Sequence, residues 1–324
     1  MTYNFCTLFD KKYVYQGLAL HDSLLEHCPD FKLWILCLDK ETFDLLTKLN
    51  LKETRLIPLA SIEGAELLAA KNNRSYGEYC WTLASAFTYY LLQIETDLNN
   101  LAYLDSDLYF YSSPQAIYDE LGDGSGLIIK HNYTPKLKYL EKNGLYNVAM
   151  VIFKNNPDGR DCLKQWRNEC LKWCYNKNED GKFGDQLYLN SWPAEFRGIR
   201  ILKHPGGGVA PWNIGRYLIT AARGRVLIDG RPLIFYHFHT FKITGPESFE
   251  PHSSFYKTNQ TVKNLIYEPY IQNLKILMKK VESSDPTFTF GFRPPENLPT
   301  KIKQKIKKFL VLIYFSHKKY DSKN

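Results

Sequence analysis

Asp105-Ser106-Asp107 places two carboxylates one residue apart, directly after the apolar run Leu101-Ala-Tyr-Leu104. In extended backbone, side chains at i and i+2 point to the same side, so both can meet one ligand. Carboxylates that close repel unless a cation or a proton sits between them. Hard oxygen donors suit Mg²⁺ or Mn²⁺. The same triplet also suits a solvated turn. A glycoside-hydrolase acid pair fits less well, because those carboxyls stand roughly 5–9 Å apart across a sugar. His237 and His239 fall on one face of an expected strand over 232–241, and Lys242 follows. Imidazole on a cation with an ammonium beside it suits a metal-bound diphosphate, whereas alone the His pair suits a core strand. No Gly-x-x-x-x-Gly-Lys-Ser/Thr loop is present, and no Gly-x-Gly-x-x-Gly follows the first strand. P-loop and classical dinucleotide sites are thereby disfavoured. Gly206-Gly-Gly208 either offers backbone amides to an anion or marks a flexible turn.

The elements that must position these groups read as α/β. Strand-forming runs lie at 3–9, 31–38, 54–59, 101–104, 126–129, 148–153 and 226–228, with the long strand at 232–241. Helical periodicity covers 18–25, 41–49, 78–93 and 162–175, and 183–190 is expected to start another helix. Strand–helix–strand order predicts a mainly parallel sheet with helices on both faces. Asp105 to Asp107 would then sit at the carboxyl end of a buried strand, where open α/β sheets place ligands. After about Gly245 the composition turns to Pro, Ser and Lys without a βαβ unit. The expected partition is an α/β domain over 1–245, an extension over 246–300 packed on it, and a tail over 301–324.

Charge divides the same way. The chain has 324 residues and a formal net charge of +8, yet residues 301–324 hold eight Lys and one Asp. Residues 1–300 therefore carry 34 basic and 33 acidic groups. A nucleic-acid face would charge the body, so nucleic acid is not an expected partner. In the tail, Ile302, Ile306, Phe309, Leu310 and Ile313 form a helical stripe flanked by lysines, which suits an anionic membrane surface or packing on the domain. No apolar run is long enough to span a bilayer. Met1-Thr-Tyr-Asn-Phe-Cys6 lacks a signal-peptide pattern, and the seven cysteines have no paired spacing. A cytoplasmic protein, peripheral on the membrane's cytoplasmic face through its tail, is the expectation. Cys162, Cys170 and Cys174 read as buried helix thiols rather than zinc ligands.

In order along the chain, Thr7-Leu-Phe-Asp-Lys-Lys-Tyr13, Tyr103-Leu-Asp-Ser-Asp107, Tyr146-Asn-Val-Ala-Met150, Asp185-Gln-Leu-Tyr-Leu-Asn190 and His237-Phe238 resemble the motifs of a retaining nucleotide-sugar glycosyltransferase family. That family, family 8, has the GT-A fold and includes glycogenin and bacterial lipopolysaccharide galactosyltransferases; the resemblance covers about residues 3–245. It implies a Rossmann-like fold and a UDP-sugar donor whose uracil is held by Leu8, Phe9, Asp10 and Tyr13. It implies Mn²⁺ or Mg²⁺ and the diphosphate on Asp105, Ser106 and Asp107, with a late His as third ligand. Asn147, Asp185 and Gln186 fall where the family touches the donor sugar, Asp185 and Gln186 being the catalytic pair. The late motif here, His237-Phe-His-Thr-Phe-Lys242, lacks the family's Pro-Trp. Both His237 and His239 thus stay open as ligands, with Lys242 as the phosphate contact. Arg74 stands in for an Arg that the family carries on the helix before Asp-x-Asp. The expected reaction moves a sugar to a hydroxyl of a glycan or lipid-linked saccharide with retention. The competing reading is a non-catalytic nucleotide-sugar or glycan-binding protein on an inherited fold.

Overall fold

A computed structural model describes residues 2–252 and 256–294 of the chain. The first half runs β1 (Tyr3–Phe9), α1 (Val14–His27), β2 (Phe31–Cys37), α2 (Lys40–Leu49), β3 (Thr54–Pro58), α3 (Ala65–Asn72), α4 (Tyr76–Ile94), β4 (Asn100–Leu104) and β5 (Leu108–Phe110). Then come α5 (Gln115–Leu121), β6 (Gly126–Lys130), β7 (Tyr146–Lys154), α6 (Pro157–Lys172), α7 (Trp192–Glu195) and β8 (Ile199–Ile201). A meander of β9 (Ile219–Ala222), β10 (Arg225–Ile228) and β11 (Arg231–Pro232) leads to β12 (Phe235–His237), β13 (Lys242–Gly245) and β14 (Ser248–Glu250). The short α8 (Gln260–Val262) passes through a π-helical turn into α9 (Glu268–Ser284).

The main sheet has the order β3-β2-β1-β4-β7-β6-β8. It is mixed and mainly parallel, as the strand–helix alternation predicts; only β7 runs against its neighbours β4 and β6. Every residue of β1 is buried. Tyr3, Phe5 and Phe9 join the core beneath α1, α2 and α9, whereas Cys6 and Leu8 join the core beneath α4 and α6. That alternation is how a strand covered on both faces keeps apolar residues at each position. Cys162, Cys170 and Cys174 are buried in the second core.

The strand order creates the site. From β1 the chain crosses to β2 on one side, yet β4 lies on the other, so the carboxyl ends of β1 and β4 border a crevice. Asp10 follows β1 and Asp105 follows β4. Because β7 reverses direction twice over, β6 also ends at this edge, and His131 follows it. Local hydrogen bonds hold the edge. Asp39 caps α2 by accepting the Thr42 N–H (2.8 Å), and its other oxygen accepts the Lys11 N–H (3.1 Å) in the turn after β1. Ser75 and Glu78 form a capping box at the start of α4.

Two predicted elements come out differently. Residues 183–190 give one 3₁₀ turn at Leu187–Asn190, because the Trp166 Nε1–H donates to the Asp185 carbonyl (2.9 Å) and fixes that segment across α6. The strand predicted over 232–241 is broken after His237. There the Phe238 N–H turns aside to the Asp107 carbonyl (2.9 Å), and Thr240 takes a left-handed φ of 63°. His237 and His239 therefore do not share one strand face.

Beyond β14, α9 lies against α1, with Asn273 Nδ2 donating to Asp22 Oδ2 at 2.5 Å. The predicted tail helix at 301–324 lies outside the described residues. Among the described residues no helix is long and apolar enough to cross a membrane. Gly206-Gly-Gly208 is tightly packed rather than a flexible turn: a Cβ on Gly206 would stand 2.0 Å from the Pro232 carbonyl oxygen. Gly208 has φ +80°, and its Cβ would meet Ile129 Cγ2 at 2.5 Å. Replacing Gly208 by Ala is expected to cost about 1–3 kcal/mol in denaturant unfolding; an unchanged midpoint would contradict this packing.

Candidate functional site

Asp105 and Asp107 sit in the turn between β4 and β5, closed by the Leu108 N–H on the Asp105 carbonyl (3.2 Å), rather than in extended backbone. The turn still brings both carboxylates to one place. Tyr103 donates its hydroxyl to Asp105 Oδ1 (3.0 Å), which orients that group. Strand β12 pairs antiparallel with β5 and sets His237 opposite Leu108. His237 Nε2 is consequently 3.0 Å from Asp107 Oδ1 and 3.8 Å from Asp105 Oδ2. One ligand atom from each of Asp105, Asp107 and His237 lies within 4.8 Å of the others. His239 stands one ring away, its centroid 5.5 Å from that of His237 and outside this group of three.

Desolvation dominates the electrostatics. Burial, with Asp107 adding to it, pushes Asp105 up to about 6 despite the pull of His237. Burial acts the same way on Asp107, but the imidazole of His237 outweighs it and holds Asp107 below the ordinary carboxylate value. His237 in turn is raised, because Asp107 and Asp105 overcome the effect of its burial. Burial and the charge of His237 push His239 down to about 4. The His237 ring thus stands where a cation would sit beside the two acids. Two carboxylates and one imidazole are a donor set that a divalent ion fits.

This cluster opens onto a cavity of about 650 Å³. Leu8, Phe9, Asp10 and Tyr13 line one end, and Ser106, Asn147, Asp185, Gln186, His237 and His239 line the rest with the two acids. Asp10 is held by the Lys12 N–H (3.0 Å) and the Tyr76 hydroxyl (2.9 Å). Asp185 is pushed up to about 8, by burial first and then by the charge of Asp105. Gln186 donates its amide to the Asn143 carbonyl (2.8 Å), which leaves Oε1 as its acceptor.

Two predicted residues do not line the cavity. Arg74 donates to the Leu171 carbonyl (2.7 Å) and to Thr82 Oγ1, and packs over Tyr175. Lys242 pairs across the β13–β14 hairpin with Glu250 at 3.6 Å. Residues absent from the prediction take their place on the walls, among them Tyr76, Trp81, His131, Tyr133, Trp212 and Tyr256. Of these His131 had a partial signal, a polar residue just past the apolar run 126–129 with Lys130 between, where Asp105 follows its run directly. Asn147 Oδ1 accepts the Ala149 N–H (2.8 Å), so its Nδ2 donates to His131 Nε2 (3.2 Å). The His131 ring stacks on Tyr133 at 4.7 Å, and its carbonyl accepts Trp212 Nε1–H and Asn213 Nδ2–H, both at 2.9 Å. Burial holds this imidazole down at about 3, so it stays neutral and keeps the lone pair that Asn147 uses.

No family model matches the chain. It is 34% identical over 301 residues to the uncharacterized protein YfnD of Bacillus subtilis, spanning 92% of this chain and 97% of YfnD. The uncharacterized protein YfnF of the same organism is 33% identical over 300 residues, spanning 90% and 98%. Among solved structures, the glycosyltransferase GlyE of Streptococcus pneumoniae aligns with TM-score 0.52 and 14% identity over 91% of this chain and 66% of GlyE. An active-site mutant of LgtC aligns with TM-score 0.51 and 16% identity, over 84% and 95%. At such identities the likeness is one of fold, and that fold is GT-A. The chain belongs to the family of YfnD and YfnF and is built on the GT-A glycosyltransferase fold.

Proposed function

We propose that the protein is a glycosyltransferase that moves a sugar, with retention, from a UDP-sugar to a hydroxyl of a glycan or lipid-linked saccharide. The observation that carries this reading is the convergence of Asp105, Asp107 and His237 on one point at the wall of a cavity that also holds Asn147, Asp185 and Gln186. Asp105, Asp107 and His237 would hold Mn²⁺ or Mg²⁺. A divalent cation there supplies Lewis-acid neutralisation of the charge that develops on the departing diphosphate. His239, its ring centroid 5.5 Å from that of His237, stands outside that set.

The chain's own residues divide the remaining work. Leu8, Phe9, Asp10 and Tyr13 receive the base, and the bond from Tyr76 fixes Asp10 against them. Asn147 and Asp185 orient the sugar. The Gln186 Oε1 dipole faces the oxocarbenium-like centre, where a fixed neutral acceptor stabilises positive charge without forming a covalent intermediate. Trp212, Tyr133 and Tyr256 offer apolar ring faces that exclude water and suit a saccharide. Residues 1–245 are assigned the catalytic domain, and the lysines of 301–324 an anionic membrane surface that would bring a lipid-linked acceptor within reach.

Release of UDP from UDP-sugars in the presence of Mn²⁺, lost with chelator, tests the activity. Binding without turnover would select the non-catalytic alternative. Asp107→Asn is expected to reduce metal-dependent turnover about 100-fold or more; unchanged turnover would remove Asp107 from the site. Protons compete with the cation for the same lone pairs, His237 being raised and Asp105 standing at about 6. Mn²⁺ affinity should therefore rise with pH through the imidazole range and fall steeply below about 6, as read by titration calorimetry. His131→Phe keeps the ring stack but removes the acceptor for Asn147. It should weaken UDP-sugar binding about tenfold while leaving UDP binding intact; equal losses for both ligands would make His131 merely structural.

A further inference from the structure

We propose that Arg293, delivered by the segment after α9, supplies from its seat on the Tyr13 wall the positive charge that stabilises the donor's diphosphate in this protein, in place of Lys242. This inference rests on reading the cavity as a nucleotide-sugar site. Lys242 is on the β13–β14 hairpin, faces Glu250 and does not line the cavity. Arg293 does not line it either, but it packs on Tyr13, which does. After α9 the chain is tied down by Asp285, whose carboxylate takes the Lys48 ammonium at 2.6 Å. It then runs back over α1, with Phe288 and Phe292 packed on Tyr15 at ring distances of 6.4 and 5.7 Å. Gly291 permits that approach: its φ is +92°, and a Cβ there would stand 2.4 Å from the Tyr15 ring. Phe290 meanwhile lies under the Lys11 ammonium at 4.4 Å. The Arg293 N–H donates to the Ile243 carbonyl (2.8 Å), which fixes the backbone where the side chain begins.

The guanidinium carbon then sits 3.9 Å from the centre of the Tyr13 ring. Its Nη2 is buried with no hydrogen-bond partner among the described residues. The side chain is half-buried, and an N–H buried without a partner leaves its positive charge incompletely compensated. Tyr13 lines the cavity, and its phenol, raised mainly by burial, responds to Arg293, Asp107 and Asp10. Asp10 belongs to the turn after β1 and Asp107 to the metal-type cluster, so Tyr13 stands between the base end and the cation end. A diphosphate joining those ends must pass it. In a low-dielectric wall, a guanidinium across one ring stabilises such an anion strongly.

The test is calorimetric binding of UDP and of uridine, with Mn²⁺ present, to the full chain and to Arg293→Gln and Arg293→Lys variants. Arg293→Gln is expected to weaken UDP about tenfold or more while leaving uridine unchanged. Arg293→Lys, which keeps the charge, should recover most of the preference for UDP over uridine. Equal weakening of UDP and uridine would show that Arg293 only props the Tyr13 wall, and unaltered UDP binding would show that it does neither; each overturns the proposal. If the wild-type chain binds no UDP, the nucleotide reading itself falls.

Discussion

Two carboxylates held in one buried turn are the constraint to which the rest of the site answers. Asp105 and Asp107 cannot both be charged and desolvated without a positive group between them. His237 stands beside them, 3.0 Å from Asp107, where it can share a proton or a cation with the pair, and its position depends on the short pairing of β12 with β5. That pairing depends in turn on the packed glycines at 206–208. The Gly206 carbonyl accepts the Ile234 N–H (2.8 Å), and the Val209 carbonyl accepts the His237 N–H (2.8 Å). A loop that looks like punctuation in the sequence is thus the support that brings the third member of the cluster to the other two. The break after His237 belongs to the same arrangement. A continuous strand would carry His239 along the sheet, whereas the turn sends the Phe238 N–H to the Asp107 carbonyl and secures the acidic turn from the opposite side.

What was readable in the sequence follows the range of the forces involved. Strands β1, β2, β4, β6 and β7 announce themselves by apolar runs, and the acidic triplet by its place after one of them. These are local properties, set by burial of a short segment. Asp10 and Asp105 line one cavity because a mainly parallel sheet puts the ends of β1 and β4 on one edge, and strand–helix order makes that edge foreseeable. Arg74 and Lys242 lie off the cavity for a different reason. A long cationic side chain goes to whichever acceptor its neighbours provide. Leu171 and Glu250 come from segments with no sequence relation to the site. The 232–241 strand failed because β-propensity is local, while the break is imposed by contacts with residues 107 and 206–209.

The charge pattern gains a physical sense from this geometry. The near-neutral body contains an acidic centre, and its cationic residues largely meet local partners: Lys11 faces Glu41, Lys48 faces Asp285, Arg167 faces Glu66. A dianionic ligand entering such a body needs positive charge that is not already spent on a carboxylate. The acidic cluster can attract it only through a bound cation, and the basic segment at 301–324 is remote in sequence. Arg293 is stacked on the Tyr13 ring and holds a buried N–H without a partner among the described residues. A guanidinium stays charged under those conditions where an ammonium would lose its proton more readily. The extension after α9 therefore does more than cover α1. By carrying the arginine across Tyr15 to Tyr13, it sets a positive charge against one of the residues that line the donor end of the cavity.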